Sequence, residues 1–409
     1  MRTLLSFLIL LIPGFSLSQT LGFVMDAGKE KVQIPVEVIN NLVVVPVVLN
    51  GQVPLKFVLD TGVRTTILTQ KTYADILELD FTRRYTISGA GGEKLVDAFI
   101  TNNVSLEIPG INGTGHAMLV LENDYLEMRN YLGADVQGIL GYELFSRFTI
   151  EFDYERKRIT IWKPEHFKPR RSFQSLPIAI QDTKPYVNVT VEQKANNPIT
   201  VKLLMDTGAS HGLILDPESS DKIFVPEKNI NSIIGRGLGG VITGKIGRIH
   251  SLRMGKYELE EVLANFPDPN SYTDTLLFKN LVKRNGSLGG EIMSRYRLIF
   301  DYPRERVYFK KNASFKRGFN YNMSGLTVKA KGARLRTYEI TDIREDSPGS
   351  HSGLLKGDLL LTINGLPATA LDLNTINGFF NSKPGKRITL EIMRGDQRMQ
   401  KEFKLEDPI

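Results

Sequence analysis

The sequence contains no cysteine, which excludes disulfides, thiol catalysis, thiolate metal sites and lipid attachment to an N-terminal cysteine. Histidine is scarce. His116, His166, His211, His250 and His351 include no pair spaced to put two ligands on one helix face, so neither a metal nor another cofactor is expected. Basic residues outnumber acidic ones by 52 to 45, but the net charge of +7 is spread over 409 residues with no Lys/Arg block. Nucleic-acid binding is therefore not implied. No apolar run approaches the 18 or more residues of a membrane-spanning helix, so no stable span is expected. With 41% hydrophobic and 24% charged residues the chain is not collagen-like, low-complexity or wholly disordered.

The first residues carry one early cation, Arg2, then an apolar run from Leu4 to Ile12, the breaker pair Pro13-Gly14, and small residues Ser16 and Ser18. This is the layout of a secretory signal peptide over residues 1–18. It predicts an exported protein, periplasmic, in the cell envelope or secreted.

The dominant feature is an internal repeat. Phe57-Val58-Leu59-Asp60-Thr61-Gly62 recurs as Leu203-Leu204-Met205-Asp206-Thr207-Gly208, at an offset of 146. Three later landmarks recur at 148: Gly89-Ala90-Gly91-Gly92 as Gly237-Leu238-Gly239-Gly240, Gly141 to Phe148 as Gly289 to Tyr296, and Phe152-Asp153-Tyr154 as Phe300-Asp301-Tyr302. Four landmarks in one order at a near-constant offset mean two copies of one structural unit.

Short strand signals bounded by Gly, Pro or Asn fill each copy, for example Val43 to Leu49 and Val201 to Met205. The glycine-rich segments read as hairpin tips. The predicted architecture is thus mostly β, with lobes at 31–163 and 173–311 and an α+β module at 325–406.

In both copies an apolar run leads into Asp, and Gly two positions later permits a tight turn. A plain β-turn would explain one such triplet, but not two inside a matched repeat. Facing lobes would bring the carboxylates together, and two adjacent carboxylates share one proton as a coupled acid and base. A water between them could then attack a peptide carbonyl without a covalent intermediate.

On these residues the chain resembles aspartic proteases of the pepsin and retropepsin clan, and most closely the bacterial retropepsin-like group, over residues 31 to 311. The resemblance implies that Asp60 and Asp206 are catalytic. It also implies that Thr61, Gly62, Thr207 and Gly208 hold the active-site loops, with the threonines bonding across the lobe junction. Ile139-Leu140-Gly141 fits the segment that crosses beneath such a loop, and Ser287-Leu288-Gly289 departs from it at Ser287. Val63 and Arg64 also depart from the family pattern. Gly89, Gly91 and Gly92, with Gly237, Gly239 and Gly240, are candidate flaps from both lobes. His211 is expected to serve packing or specificity, not catalysis.

Residues 325–406 resemble a PDZ domain of the protease-associated type, on Ser347 to Leu354, Lys356-Gly357-Asp358 and the strand ending Ile363-Asn364-Gly365. The resemblance implies that Gly325, Leu326, Thr327 and Val328 form a loop receiving the C-terminus of a peptide ligand. A module that only packs on the protease is the other reading. The sequence leaves two functions open: an aspartic endopeptidase acting on peptide or protein substrates, and a non-catalytic peptide-binding protein that kept the cleft.

Overall fold

The structure is a computed structural model that describes residues 21–87, 89–91, 95–269, 271 and 282–409. The expected signal peptide and Gly92 lie outside the described residues.

Two curled antiparallel-rich sheets form the lobes. The first runs in the order Gly22–Met25, Ile111–Leu121, Thr66–Leu68, Gly138–Leu140, Val53–Leu59, Leu42–Leu49, Val96–Ile108, Phe81–Ile87. It closes on itself because Val96–Ile108 also pairs with Ile111–Leu121. The second runs Ala179–Gln181, Lys184–Glu192, Pro198–Met205, Gly286–Leu288, Leu213–Leu215, Tyr257–Pro267, Gly240–Met254, Asn229–Gly237. Here the closing pair is Lys184–Glu192 with Gly240–Met254.

The repeat therefore extends to strand direction. Gly138–Leu140 lies parallel to Val53–Leu59 and antiparallel to Thr66–Leu68, and Gly286–Leu288 lies parallel to Pro198–Met205 and antiparallel to Leu213–Leu215. These short strands are buried throughout and show no polar alternation, Thr66 and Ser287 being their polar residues.

A six-stranded sheet joins the lobes, with Thr149–Asp153 from one paired antiparallel to Tyr296–Asp301 from the other. Ile150 faces Phe300 and Phe152 faces Leu298. Each pair is the image of the other under the repeat offset, so the approximate two-fold axis passes between these strands. Phe152 and Phe300 are fully buried and meet edge to face, at 5.7 Å between centroids. Burying each such ring contributes about 1.5–3 kcal/mol, and the pairing adds roughly 0.5–1.5 kcal/mol.

The third unit is a sheet ordered Leu326–Lys331, Thr337–Ile343, Leu359–Ile363, Arg387–Arg394, Gln397–Lys404, with helices Pro348–His351 and Leu373–Phe380. Ser347 caps the first helix through a capping box with Ser350. Asp358 accepts from the Leu355 N–H and is gripped by Arg394. Asn364 and Gly365 have φ of 49° and 79°, the turn that Asn-Gly favours.

One expectation needs correction. Of the presumed loop Gly325–Val328 only Gly325 precedes the sheet, because Leu326–Lys331 is its edge strand. Leu326, Val328 and Ala330 turn inward while Thr327, Lys329 and Lys331 turn outward, an alternation that dictates a strand.

This unit is not a loose appendage. One continuous buried apolar cluster includes Phe57, Phe300, Val328 and Phe380, reaching through both lobes into it. Arg248 of the second lobe donates to the carbonyls of Phe319 and Ile409.

Candidate active site

Each of the two strands Val53–Leu59 and Pro198–Met205 ends in three buried apolar residues and delivers an aspartate at its C-terminal end. The backbone N–H of Asp60 donates to the Leu140 carbonyl at 2.9 Å, and that of Asp206 to the Leu288 carbonyl at 2.8 Å. Both crossing segments thus support their loops through the middle residue's carbonyl. For this reason Ser287 does not weaken the second support.

The threonines lock the lobes together. Thr61 Oγ1 donates to the Met205 carbonyl at 2.5 Å and accepts from the Thr207 N–H at 3.0 Å. Thr207 Oγ1 donates to the Leu59 carbonyl at 2.8 Å and accepts from the Thr61 N–H at 3.0 Å. Both threonines are buried. Four such bonds fix the separation of the aspartates.

Glycine is required by space. A Cβ on Gly208 would lie 2.1 Å from Cγ of Asp60, and one on Gly62 would lie 3.1 Å from a carboxylate oxygen of each aspartate. The same glycines donate N–H groups: Gly62 to Asp60 Oδ1 at 2.6 Å, and Gly208 to Asp206 Oδ1 at 3.0 Å.

The Asp60 and Asp206 carboxyls flank Gly62, whose Cβ would meet an oxygen of each. Burial, followed by the charge of Asp206, holds the Asp60 carboxyl well above the usual range, against the lowering effects of the Gly62 N–H and the Lys184 charge. Asp60 is 8% exposed whereas Asp206 is only half-buried. Burial thus favours the protonated form of Asp60 within the pair.

The surrounding residues answer what the sequence left open. Arg64 turns away from the pair, donating to Asp182 at 2.8 Å in an exposed ion pair across the lobe junction. Lys184 supplies the nearby positive charge instead. Buried Tyr302, from the repeated Phe-Asp-Tyr motif, has both aspartates among its electrostatic neighbours, and burial pushes its phenol pKa upward. Tyr302 carried no sequence signal beyond the repeat itself, and Lys184 carried none. His211 Nε2 and Ser287 Oγ are 2.9 Å apart. Burial lowers the imidazole pKa to about 4, against the raising effect of Asp206, so His211 is neutral in mild acid. Among the described residues, no group of three or more His, Asp or Glu side chains is arranged for a metal.

The glycine-rich segments are hairpin tips that exchange places. Leu238 packs into the first lobe's cluster with Val63, Val96 and Ile139, and Ala90 packs into the second lobe's cluster with Ile214, Ile234 and Ile242. Ala90 and Leu238 are repeat equivalents, so the exchange is reciprocal. The Gly239 N–H donates to the Ala90 carbonyl at 3.0 Å. A Cβ on Gly237 or Gly91 would lie 2.0 or 2.2 Å from the opposing backbone. Gly89 faces the Leu238 side chain, and Gly240 meets Gly91.

In the third unit two of the backbone groups expected to receive a peptide terminus are engaged. The Gly325 N–H donates to Asn322 Oδ1 and the Leu326 N–H to Ser324 Oγ.

Two equivalent β-lobes, each contributing an Asp-Thr-Gly loop to one interlocked carboxyl pair, define the architecture of an aspartic protease. A family model described as aspartyl protease matches residues 45–144 and 187–291, half of the chain. The chain belongs to the aspartyl protease family. No curated protein matches it.

Proposed function

We propose that the protein is an aspartic endopeptidase that hydrolyses peptide bonds with a water activated between Asp60 and Asp206. The observation carrying this reading is the meeting of two carboxyls at the ends of equivalent strands, an oxygen of each lying 3.1 Å from where a Cβ on Gly62 would stand, with one aspartate buried and one half-buried. Protonated Asp60 donates to the scissile carbonyl oxygen while ionised Asp206 takes a proton from the water, whose oxygen bonds to the carbonyl carbon. In the tetrahedral diol that results, Asp206 returns its proton to the amide nitrogen and Asp60 recovers one from a diol hydroxyl. The C–N bond then breaks. The Thr61–Thr207 lock keeps both carboxyls in place throughout, so little reorganisation accompanies the charge movement.

The two tips serve as flaps that part to admit a peptide and close over it, with Leu238 and Ala90 supplying apolar contacts. The third unit is a PDZ-type module. A peptide tail adding along Leu326–Lys331 would displace side chains already bonded to that edge, which makes tail binding weak unless the enzyme yields. The N-terminal segment is a signal peptide and the mature enzyme is exported, to work in the periplasm or cell envelope of a bacterium or outside the cell.

Incubation of the purified protein with a mixed peptide library at pH 4 to 7 tests the reading, with new termini read by mass spectrometry. Internal cleavage is expected. Retention of peptides without cleavage would replace the enzyme by a peptide-binding protein.

A further inference from the structure

The short helix Met128–Leu132 of the first lobe belongs neither to the carboxyl pair nor to the flaps, yet it touches both the third unit and the second flap. Three contacts seat it on the third unit. Asn130 Nδ2 donates to the Ala330 carbonyl of the edge strand at 2.8 Å, Arg129 donates to the Ala333 carbonyl at 2.7 Å, and Gly133 sits flush on Leu373, leaving only 2.7 Å for a Cβ. The helix is framed by left-handed residues, Glu127 at φ 45° and Gly133 at φ 65°, which fixes its length and direction.

Tyr131 stands at the centre of this contact. The Arg236 guanidinium lies over its ring at 4.2 Å, and Lys329 Nζ lies over it at 4.5 Å. Arg236 immediately precedes Gly237 at the root of the second flap tip. Lys329 projects from the edge strand of the third unit and pairs with Glu127 beside Tyr131. One aromatic ring thus connects a flap cation to a third-unit cation.

Cation–π attraction strengthens as the partners leave water. Here Lys329 keeps only 16% side-chain exposure. Strand Asn229–Gly237 is an edge strand of its sheet, so on its open side the tip is held by the packing of Leu238, the Gly239–Ala90 hydrogen bond and the seat of Arg236 on Tyr131. Glycines at 235, 237, 239 and 240 lower its stiffness further. When the tips part to admit a peptide the Leu238 and Gly239 contacts open, and without the anchor at Arg236 the cost of ordering this tip would fall on each binding event.

We propose that Tyr131 is a positioning residue for the second flap: seated on the third unit through Lys329, its ring holds Arg236 so that the tip is pre-ordered for peptide. The inference rests on the endopeptidase reading for its kinetic consequence alone. It gives the third unit a role in substrate binding that needs no peptide tail, and any ligand that lifts the helix from the edge strand would loosen the flap.

The test uses the full chain with Tyr131→Leu, Tyr131→Phe, Arg236→Gln and Lys329→Met. Amide hydrogen exchange over residues 233–241 should accelerate in Tyr131→Leu and Arg236→Gln but not in Tyr131→Phe, which keeps the ring face. Lys329→Met should accelerate the same segment. With a cleaved peptide, KM should rise about 2- to 25-fold in Tyr131→Leu, the range one cation–π contact spans, with kcat within about twofold. Arg236→Gln leaves the helix intact and guards against misfolding of the Tyr131 variant. Exchange unchanged in both Tyr131→Leu and Arg236→Gln would overturn the anchor, and exchange unchanged in Lys329→Met would overturn the link to the third unit. Exchange is read without catalysis, so a protein that cleaves nothing refutes the endopeptidase reading and leaves the anchor separately measurable.

Discussion

Asp60→Asn should stabilise the protein, and the gain should grow with pH. The folded-state pKa of Asp60 is raised by burial and by Asp206. In the unfolded chain an aspartate titrates near 3.9. Between these two values the folded protein holds a proton that the unfolded chain has released, so wild-type stability falls as pH rises. The slope for one proton is about 1.4 kcal/mol per pH unit. Asparagine has no proton to hold and removes this slope, while groups outside the pair titrate alike in both proteins. Below about pH 4 the variant gains nothing and loses up to about 1 kcal/mol of hydrogen bonding. From there upward its advantage should increase by about 1.4 kcal/mol per unit, until the native pair loses its proton. Urea denaturation of both proteins at pH 4.5, 5.5 and 6.5 measures the difference directly. A difference independent of pH would refute the shared proton.

Thr61→Ala removes the donor to Met205 and the acceptor for Thr207 N–H, both buried. It should cost roughly 2–4 kcal/mol in denaturant titration. Gly208→Ala places a methyl 2.1 Å from Asp60 Cγ. Displacing that carboxyl should lower kcat/KM by on the order of a hundredfold, with circular dichroism unchanged. Because Arg64 is engaged by Asp182 while burial and Asp206 raise the Asp60 carboxyl, the maximum of kcat/KM should fall at roughly pH 5 to 7. An optimum below about pH 4 would show that Lys184 and the Gly62 N–H outweigh burial.

The lobes and the carboxyl pair could be read from the sequence because the repeat preserved landmarks whose local chemistry is strict. Asp-Thr-Gly needs its glycine for space, and the crossing segments need apolar residues for burial. What escaped depends on partners far along the chain. Arg64 finds Asp182, 118 residues away, and His211 finds Ser287, 76 residues away. No local pattern announces either pairing. The glycine-rich tips were visible, but their exchange between lobes is set by how the two sheets face each other. The edge strand Leu326–Lys331 was missed for a different reason. Its alternation was present in the sequence, but the preceding Gly325 favoured a loop reading, and only the inward burial of Leu326, Val328 and Ala330 decides between them. Tyr131 gave no signal, since its role arises from two cations brought to it by other units.

The most direct test of the paired-carboxylate mechanism is kcat/KM on one cleaved peptide for wild type, Asp60→Asn and Asp206→Asn, with folding checked by denaturation. Each variant should lose at least about a thousandfold, because one ionisable carboxyl cannot act as both acid and base. Activity within about tenfold of wild type in either variant would contradict it.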